Sequence, residues 1–554
     1  MALAAYLRGR VASGEDRIAD AQRAFSVARS ADGQATEVRL RAFETALMAG
    51  DMKTAVALAD QLGRIALPER APSRFGFNDA MIALVRMAGA AQARDWRGFD
   101  QARATFREPN PGAVPVVSTI LEAWSHAARG DWEPALFLLD PAERNPLARS
   151  YFLEHRAHVL ALARRWPEAA EAYGALVAGD GANVPRLRLQ AAGAALEAGR
   201  MAGAEREQWR SRAITILGGG PLRDPLLSGA RARLAADPKA DAKALGGLVT
   251  GPADGLAALF LRLAVDASRD RPQPASAAFG RLASFLAPGL PEAWLVTGDM
   301  LARLSLPDPA LDALRRTAGT PLERAGSARA AQVLADSGRT EEAKAAMRVL
   351  AEGPEGTAED WVRLSDIERQ AGDEAAAART LDRAVAALKE PVAPRDAYIF
   401  FLRGSARERS GNWKGAETDL RRAVDLQPEN AVFLNYLGYS LLDRGIHLDE
   451  ADAFITRAYQ ASPENGAIID SLGWAKYVRG AYPEAVELLE RARAAEPSDP
   501  TVADHLGDAL WRVGRRIEAR HAWESALTLE PDAKLKAAIE GKLAYGLDIA
   551  LARR

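Results

Sequence analysis

A unit of about 34 residues that returns along the chain limits what it can fold into more than anything else in the sequence. Near the C-terminal end Gly404, Gly438, Gly473 and Gly507 stand 34, 35 and 34 residues apart. Ala416, Ala451, Ala485 and Ala519 follow at nearly the same intervals, as do Ala423, Ala458, Ala492 and Ala526. Each unit closes on a proline: Pro428, Pro463, Pro497 and Pro531. Such a chain folds as a stack of small units, none of which buries its apolar face alone. Glycine and alanine let two antiparallel helices approach closely while larger residues fill the gaps between them. Gly411, Gly445, Gly480 and Gly514 fall between the two helices, where a left-handed glycine ends the first. The prolines follow the second helix and stop it.

The pattern continues upstream with less clarity. Leu364, Gly372, Ala377, Leu381 and Ala384 are in register, and so are Trp124, Gly130, Trp132 and Ala135, then Trp166, Ala169 and Tyr173. At the start, Gly9, Ala21, Phe25 and Ala28 repeat the arrangement, with Gly50 and Ala55 in the next unit. About fourteen helical pairs are expected. Residues 62–78 interrupt the register as an insertion or long connection. A cluster of Gly, Pro, Asp and Lys over 217–256 is expected to be a hinge or boundary. The expected organisation is therefore an N-terminal degenerate arm over 1–216, an irregular connection over 217–256, a C-terminal arm over 257–532 with its clearest repeats at 396–531, and a capping helix over 533–554.

Composition narrows the function. The 554 residues exceed the roughly 250–300 that one core organises. Lys+Arg of 72 against Asp+Glu of 74 gives a net charge of −2, without the basic excess of a nucleic-acid binder. The absence of cysteine excludes disulfides, thiolate metal sites and a Cys nucleophile. No apolar run is long enough to span a bilayer. Phosphate-binding, zinc-protease and nucleophile-elbow motifs are all missing. Glu154, His155 and His158 form the nearest metal-like cluster, but no third and fourth ligand stand at suitable spacing. They are expected to be ordinary surface or groove residues. Gly218, Gly219 and Gly220 do not link a strand to a helix and are expected to be a flexible connection. No metal, cofactor or catalytic residue is expected.

Spacing, glycines, paired alanines and terminal prolines together resemble the tetratricopeptide repeat family. The resemblance implies an all-α, right-handed superhelical solenoid of stacked antiparallel helix pairs, with the first helix of each pair lining a concave surface. On that surface the last units place Asn435, Tyr436, Tyr439 and Asp443; then Asp470, Ser471, Trp474 and Tyr477; then His505, Asp508, Trp511 and Arg512. Aromatic rings offer rigid contact area, and amides, carboxylates and Arg orient a bound backbone. These twelve residues are the expected partner-binding site. The competing expectation is that some of the rings, Tyr436 and Tyr477 above all, pack between repeats. Asp443, Asp470, Asp504 and Asp508 on the same face disfavour a nucleic acid, whose stacking platforms come with a basic track.

The strings NYLGYSLLDRG, DSLGWAKYVRGAYPEAVELLERA and DHLGDALWRVGRRIEAR look like those of proteobacterial envelope tetratricopeptide proteins. Some members of that group deliver substrates to a carboxy-terminal-processing protease. The resemblance implies a non-enzymatic adaptor or scaffold whose partners are proteins or extended peptides, including a periplasmic protease or its substrates. It also implies an envelope location given an upstream signal, whereas a true start at Met1 would leave the chain cytoplasmic. The alternative expectation is a regulatory subunit or repeat-containing enzyme with its chemistry in 217–290.

Overall fold

The computed structural model describes residues 2–552 apart from 32–34, 66–73, 108–115, 141–145, 180–183, 202, 220–223, 238 and 270. Part of the expected connection at 62–78, and Gly220 of the glycine run, lie outside the described residues. Among the described residues there are thirty-two α-helices, two 3-10 turns and no strand. Leaving aside two short helices, Pro225–Ala236 and Ala242–Leu245, and the final two, the others follow one another as fourteen helix–turn–helix couples.

The repeating glycines explain the couples. In the helix Ala397–Arg409, a Cβ on Gly404 would lie 2.9 Å from Leu420 of the following helix. Gly438 faces Ile455 and Gly473 faces Leu489, each at 2.8 Å, and Gly507 meets the ring of Trp523 closer still. The same interlock joins Gly298 to Leu314 and Gly9 to Phe25. In these couples glycine is thus the small side of a small-to-large fit between the two helices.

The turn between them is equally uniform. Gly411, Gly445, Gly480 and Gly514 have φ of 86°, 67°, 80° and 84°, as a left-handed helix end requires. Arg94, Arg164 and Ser305 hold the same place in degenerate couples, with φ of 57° to 59°. The unit of 35 residues takes its extra residue in this turn, where His447 is also left-handed. Asn430, Asn465 and Asp499 then cap the next first helices, accepting from one or two backbone N–H groups of the first turn.

The contacts divide the chain into two compact units, 1–346 and 347–554, and not at the expected hinge over 217–256. The reason lies in the first unit. Its helix Pro252–Asp266 packs on Asp79–Gln92, Val116–Arg129 and Pro146–Leu162, and Pro274–Leu286 packs on Thr36–Ala49 and Asp79–Gln92. These four supports are the first helices of successive couples, so the chain after residue 251 returns across their common face. Gly255 sits against the ring of Trp124 with no room for a Cβ. Arg262 reaches Glu154 at 2.7 Å and Ser150 at 2.5 Å, and the Tyr151 hydroxyl donates to Asp266 at 2.6 Å. Arg186 holds Glu292 with two bonds of 2.6 and 2.7 Å. Buried Arg281 donates to the Met48 carbonyl at 2.8 and 3.2 Å, and burial pulls its pKa down to about 10.

Three stability outcomes follow from this packing. Gly473→Val should cost about 1–3 kcal/mol in urea melts, because even its Cβ would lie 2.8 Å from the buried Leu489 side chain. Arg164→Gly should stabilise by up to about 1 kcal/mol, since glycine enters the left-handed region without penalty. Arg281→Met should destabilise by roughly 1–3 kcal/mol, leaving the Met48 carbonyl without its donors.

Candidate functional site

In the second unit the first helices of three couples, Ala431–Asp443, Gly466–Val478 and Pro500–Arg512, stand side by side. Their glycines and leucines face the second helices, which turns the opposite stripe inward to a groove. Between them lies a cavity of about 410 Å³. Of the twelve expected residues, Asn435, Tyr436, Tyr439, Asp443, Asp470 and Ser471 line it, joined by Thr501 and the N-cap Asp499 of the third helix and by Glu408 of the preceding helix Ala397–Arg409.

The walls are held by specific contacts. The Tyr436 hydroxyl lies 2.9 Å from Ser405 Oγ, and its ring packs edge-on to Phe401, so Tyr436 is at once core and groove wall. Glu408 pairs with Arg444 at 2.7 Å, and the Arg444 guanidinium lies 4.1 Å over Trp413. Burial pushes the Tyr439 phenol up in pKa, and the charges of Asp470, Asp443, Asp499 and Asp504 push it further. Asn435 Oδ1 is shielded from solvent and, among the described residues, has no hydrogen-bond partner.

Trp474, Tyr477 and His505 form a stack beside the cavity and do not line it. Trp474 lies between Tyr477 (4.5 Å, 9°) and His505 (4.1 Å, 15°). His505 Nδ1 is 3.0 Å from both oxygens of Asp470. Burial alone would pull the His505 imidazole down, but Asp470, Asp504 and Asp508 outweigh it and the pKa is raised.

The expected placement of Asp508, Trp511 and Arg512 on the open groove needs correction. Asp508 is buried and accepts from Trp523 Nε1 at 3.0 Å and from Lys542 Nζ at 2.8 Å. Trp511 donates to Asp548 at 3.0 Å and packs against Trp523, while Arg512 bonds Asp548 at 2.7 Å and the Tyr477 hydroxyl at 3.3 Å. All three tie the last couple to the terminal helices Ala533–Tyr545 and Leu547–Ala552. The sequence reading missed Lys542, although its position three residues after Ile539, on the apolar stripe with Leu535 and Leu543, marked it as an inward charge. It also missed the role of Asp504, which accepts from Lys542 Nζ at 2.7 Å.

Asp470, Asp504, Asp508, His505 and Lys542 are all buried, and three carboxylates face two cations. Even with His505 protonated one negative charge is in excess. It falls on Asp508, whose pKa is pushed up to about 6 by burial and, against the pull of Lys542, by Asp504. A carboxyl raised in the folded state binds its proton more tightly there, so folding loses stability as pH rises from about 4 through 6. Asp508→Asn keeps an acceptor for Trp523 and leaves a balanced Asp504–Lys542 pair. Its melting temperature relative to the parent should therefore climb between pH 5 and pH 7, on the order of 1–3 kcal/mol in stability.

The metal-like cluster lies elsewhere, in the core of the first unit. His155 and His158 are fully buried, contrary to the expected surface placement. Trp124 Nε1 donates to His155 Nδ1 at 3.2 Å, and burial lowers that imidazole to about 3. His158 Nδ1 meets the Tyr173 hydroxyl at 2.7 Å, and Glu154 is engaged by Arg262. Among the described residues no group of three His, Asp or Glu is placed to hold a metal ion. None of the described helices is long and apolar enough to cross a membrane.

Residues 401–466 match the tetratricopeptide repeat family model. No curated protein matches the chain. Among solved structures, a thermophilic tetratricopeptide protein of Thermus thermophilus is 21% identical, with 34% of this chain and 100% of that one covered at a TM-score of 0.30. MamA of Desulfovibrio magneticus is 20% identical over 31% of this chain and 94% of that one, at 0.27. The Cut9–Hcn1 complex of the APC/C aligns over 93% of this chain and 96% of its own, at 14% identity and 0.36.

Proposed function

We propose that this protein is a non-enzymatic scaffold that binds an extended stretch of a partner protein along the first helices of its C-terminal repeats. The observation that carries the reading is a contrast between two like faces. In the first unit the face formed by four successive first helices is covered by residues 252–286 of the same chain. In the second unit the equivalent face holds a cavity lined by an amide, two tyrosines and several carboxylates. Tyrosines provide area at low entropic cost, and Asn435, whose Oδ1 lacks a partner, is suited to a backbone N–H of a bound strand.

The narrower reading is an envelope adaptor that presents substrates to a carboxy-terminal-processing protease. It is supported by the resemblance of residues 396–531 to that group, and it makes the bound segment part of a protease or of its substrate.

The test is an unbiased 12-residue peptide display selection on the full chain. Selected peptides should lose at least about 30-fold in affinity against Asn435→Ala combined with Tyr439→Ala, the scale of a hot-spot loss. Circular dichroism melts check that the double variant remains folded. Peptides that bind the variant undiminished would place the site elsewhere.

A further inference from the structure

The cavity in the C-terminal groove has a charge pattern that goes beyond a surface for any extended chain. Asp443, Asp470 and Asp499 reach it from three successive repeats and act together on Tyr439. Their partners differ. Both oxygens of Asp470 are taken by His505. Asp499 spends Oδ1 on the N–H groups of Thr501 (2.7 Å) and Val502 (3.4 Å), which leaves its other oxygen available. The Asp443 carboxylate is exposed and, among the described residues, has neither ion pair nor hydrogen bond. Arg444 is the one cation in the described lining, and Glu408 neutralises it while Trp413 holds its guanidinium. The cavity therefore keeps uncompensated negative charge beside two aromatic rings. Asn435 Oδ1, withdrawn from solvent in the same wall and without a donor, adds a neutral acceptor.

We infer that this cavity is a subsite for an arginine side chain of the bound segment, a conclusion that rests on the proposed peptide-binding role. A guanidinium matches the surroundings better than an ammonium does. It is planar, lies well on a tyrosine face, and carries five N–H donors that serve carboxylates on separate helices at once. Lysine offers a single, strongly hydrated charge and loses more on entering. At about 410 Å³ the cavity also has room for the side chain with its stem. An acidic partner segment is excluded by the same charges, since like-charge juxtaposition is penalised.

The experiment uses the full chain and the peptides recovered by the display selection. Enriched sequences should share an arginine at one position. Replacing it by citrulline, the neutral isostere, should weaken binding at least 10-fold, and lysine should be intermediate. Asp443→Asn with Asp499→Asn should erase the preference for arginine over citrulline; asparagine at 499 keeps the helix cap, so the fold is retained. Selected peptides that respond to Asn435→Ala yet bind equally with arginine or citrulline would overturn the subsite and leave the groove standing. Recovery of no peptide, or of peptides indifferent to every groove substitution, would overturn both.

Discussion

The clearest couples of this molecule depend on how closely two helices approach at one glycine. With no side chain at Gly404, Gly438, Gly473 or Gly507, the second helix of the couple brings Leu420, Ile455, Leu489 or Trp523 almost onto the backbone of the first. That contact sets the distance within a couple, and the left-handed turn seven residues later sets its angle. Once both recur, the first helices must align on one side and the second helices on the other. The groove is a by-product of that alignment, because the stripe opposite each glycine has nothing to pack on except a ligand or another part of the chain.

The two units show both outcomes. In the first, the stripe is covered by the chain itself, and the groups that would have lined a site have become core. His155, His158 and Trp124 would suit a binding surface, yet they are buried, with Trp124 donating to His155 and facing Gly255. In the second unit the stripe stays open over part of its length and closes at its end, where Lys542 of the terminal helix enters between Asp504 and Asp508. One kind of surface thus serves as interior, groove or end-seal according to what comes to rest on it.

This explains which features could be read from the sequence. The couples, the turns and the inward residues of the first helices depend on neighbours within about 35 positions, and the repeat displays them openly. Asn435, Tyr439 and Asp470 were found because each occupies the same register position as its counterparts. Asp508 shares the register position of Tyr439 and Trp474, but its surroundings are decided by Lys542, 34 residues away and past the last recognisable unit. The return of residues 252–286 was hidden for a similar reason. Nothing in a helical period shows that Gly255 will meet Trp124 or that Arg281 will find the carbonyl of Met48, 233 residues earlier. The Gly- and Pro-rich stretch before it reads as a hinge because local composition marks only that the stack is interrupted, not where the chain goes next.

The path of residues 252–286 also bears on how each unit tolerates change in length. In an array whose repeats touch only their neighbours, stability is nearly a sum of local terms, and a repeat gained or lost alters the total without altering the rest. The C-terminal couples are of that kind. The first unit is not, because contacts such as Arg281 with Met48 and Arg186 with Glu292 bind segments more than a hundred residues apart. Closing such loops precedes any reward from the contacts they allow, which slows folding. Duplication or deletion of a repeat between two such partners would shift that pair out of register. Its length is therefore held by geometry, while the C-terminal unit is free to grow by whole repeats.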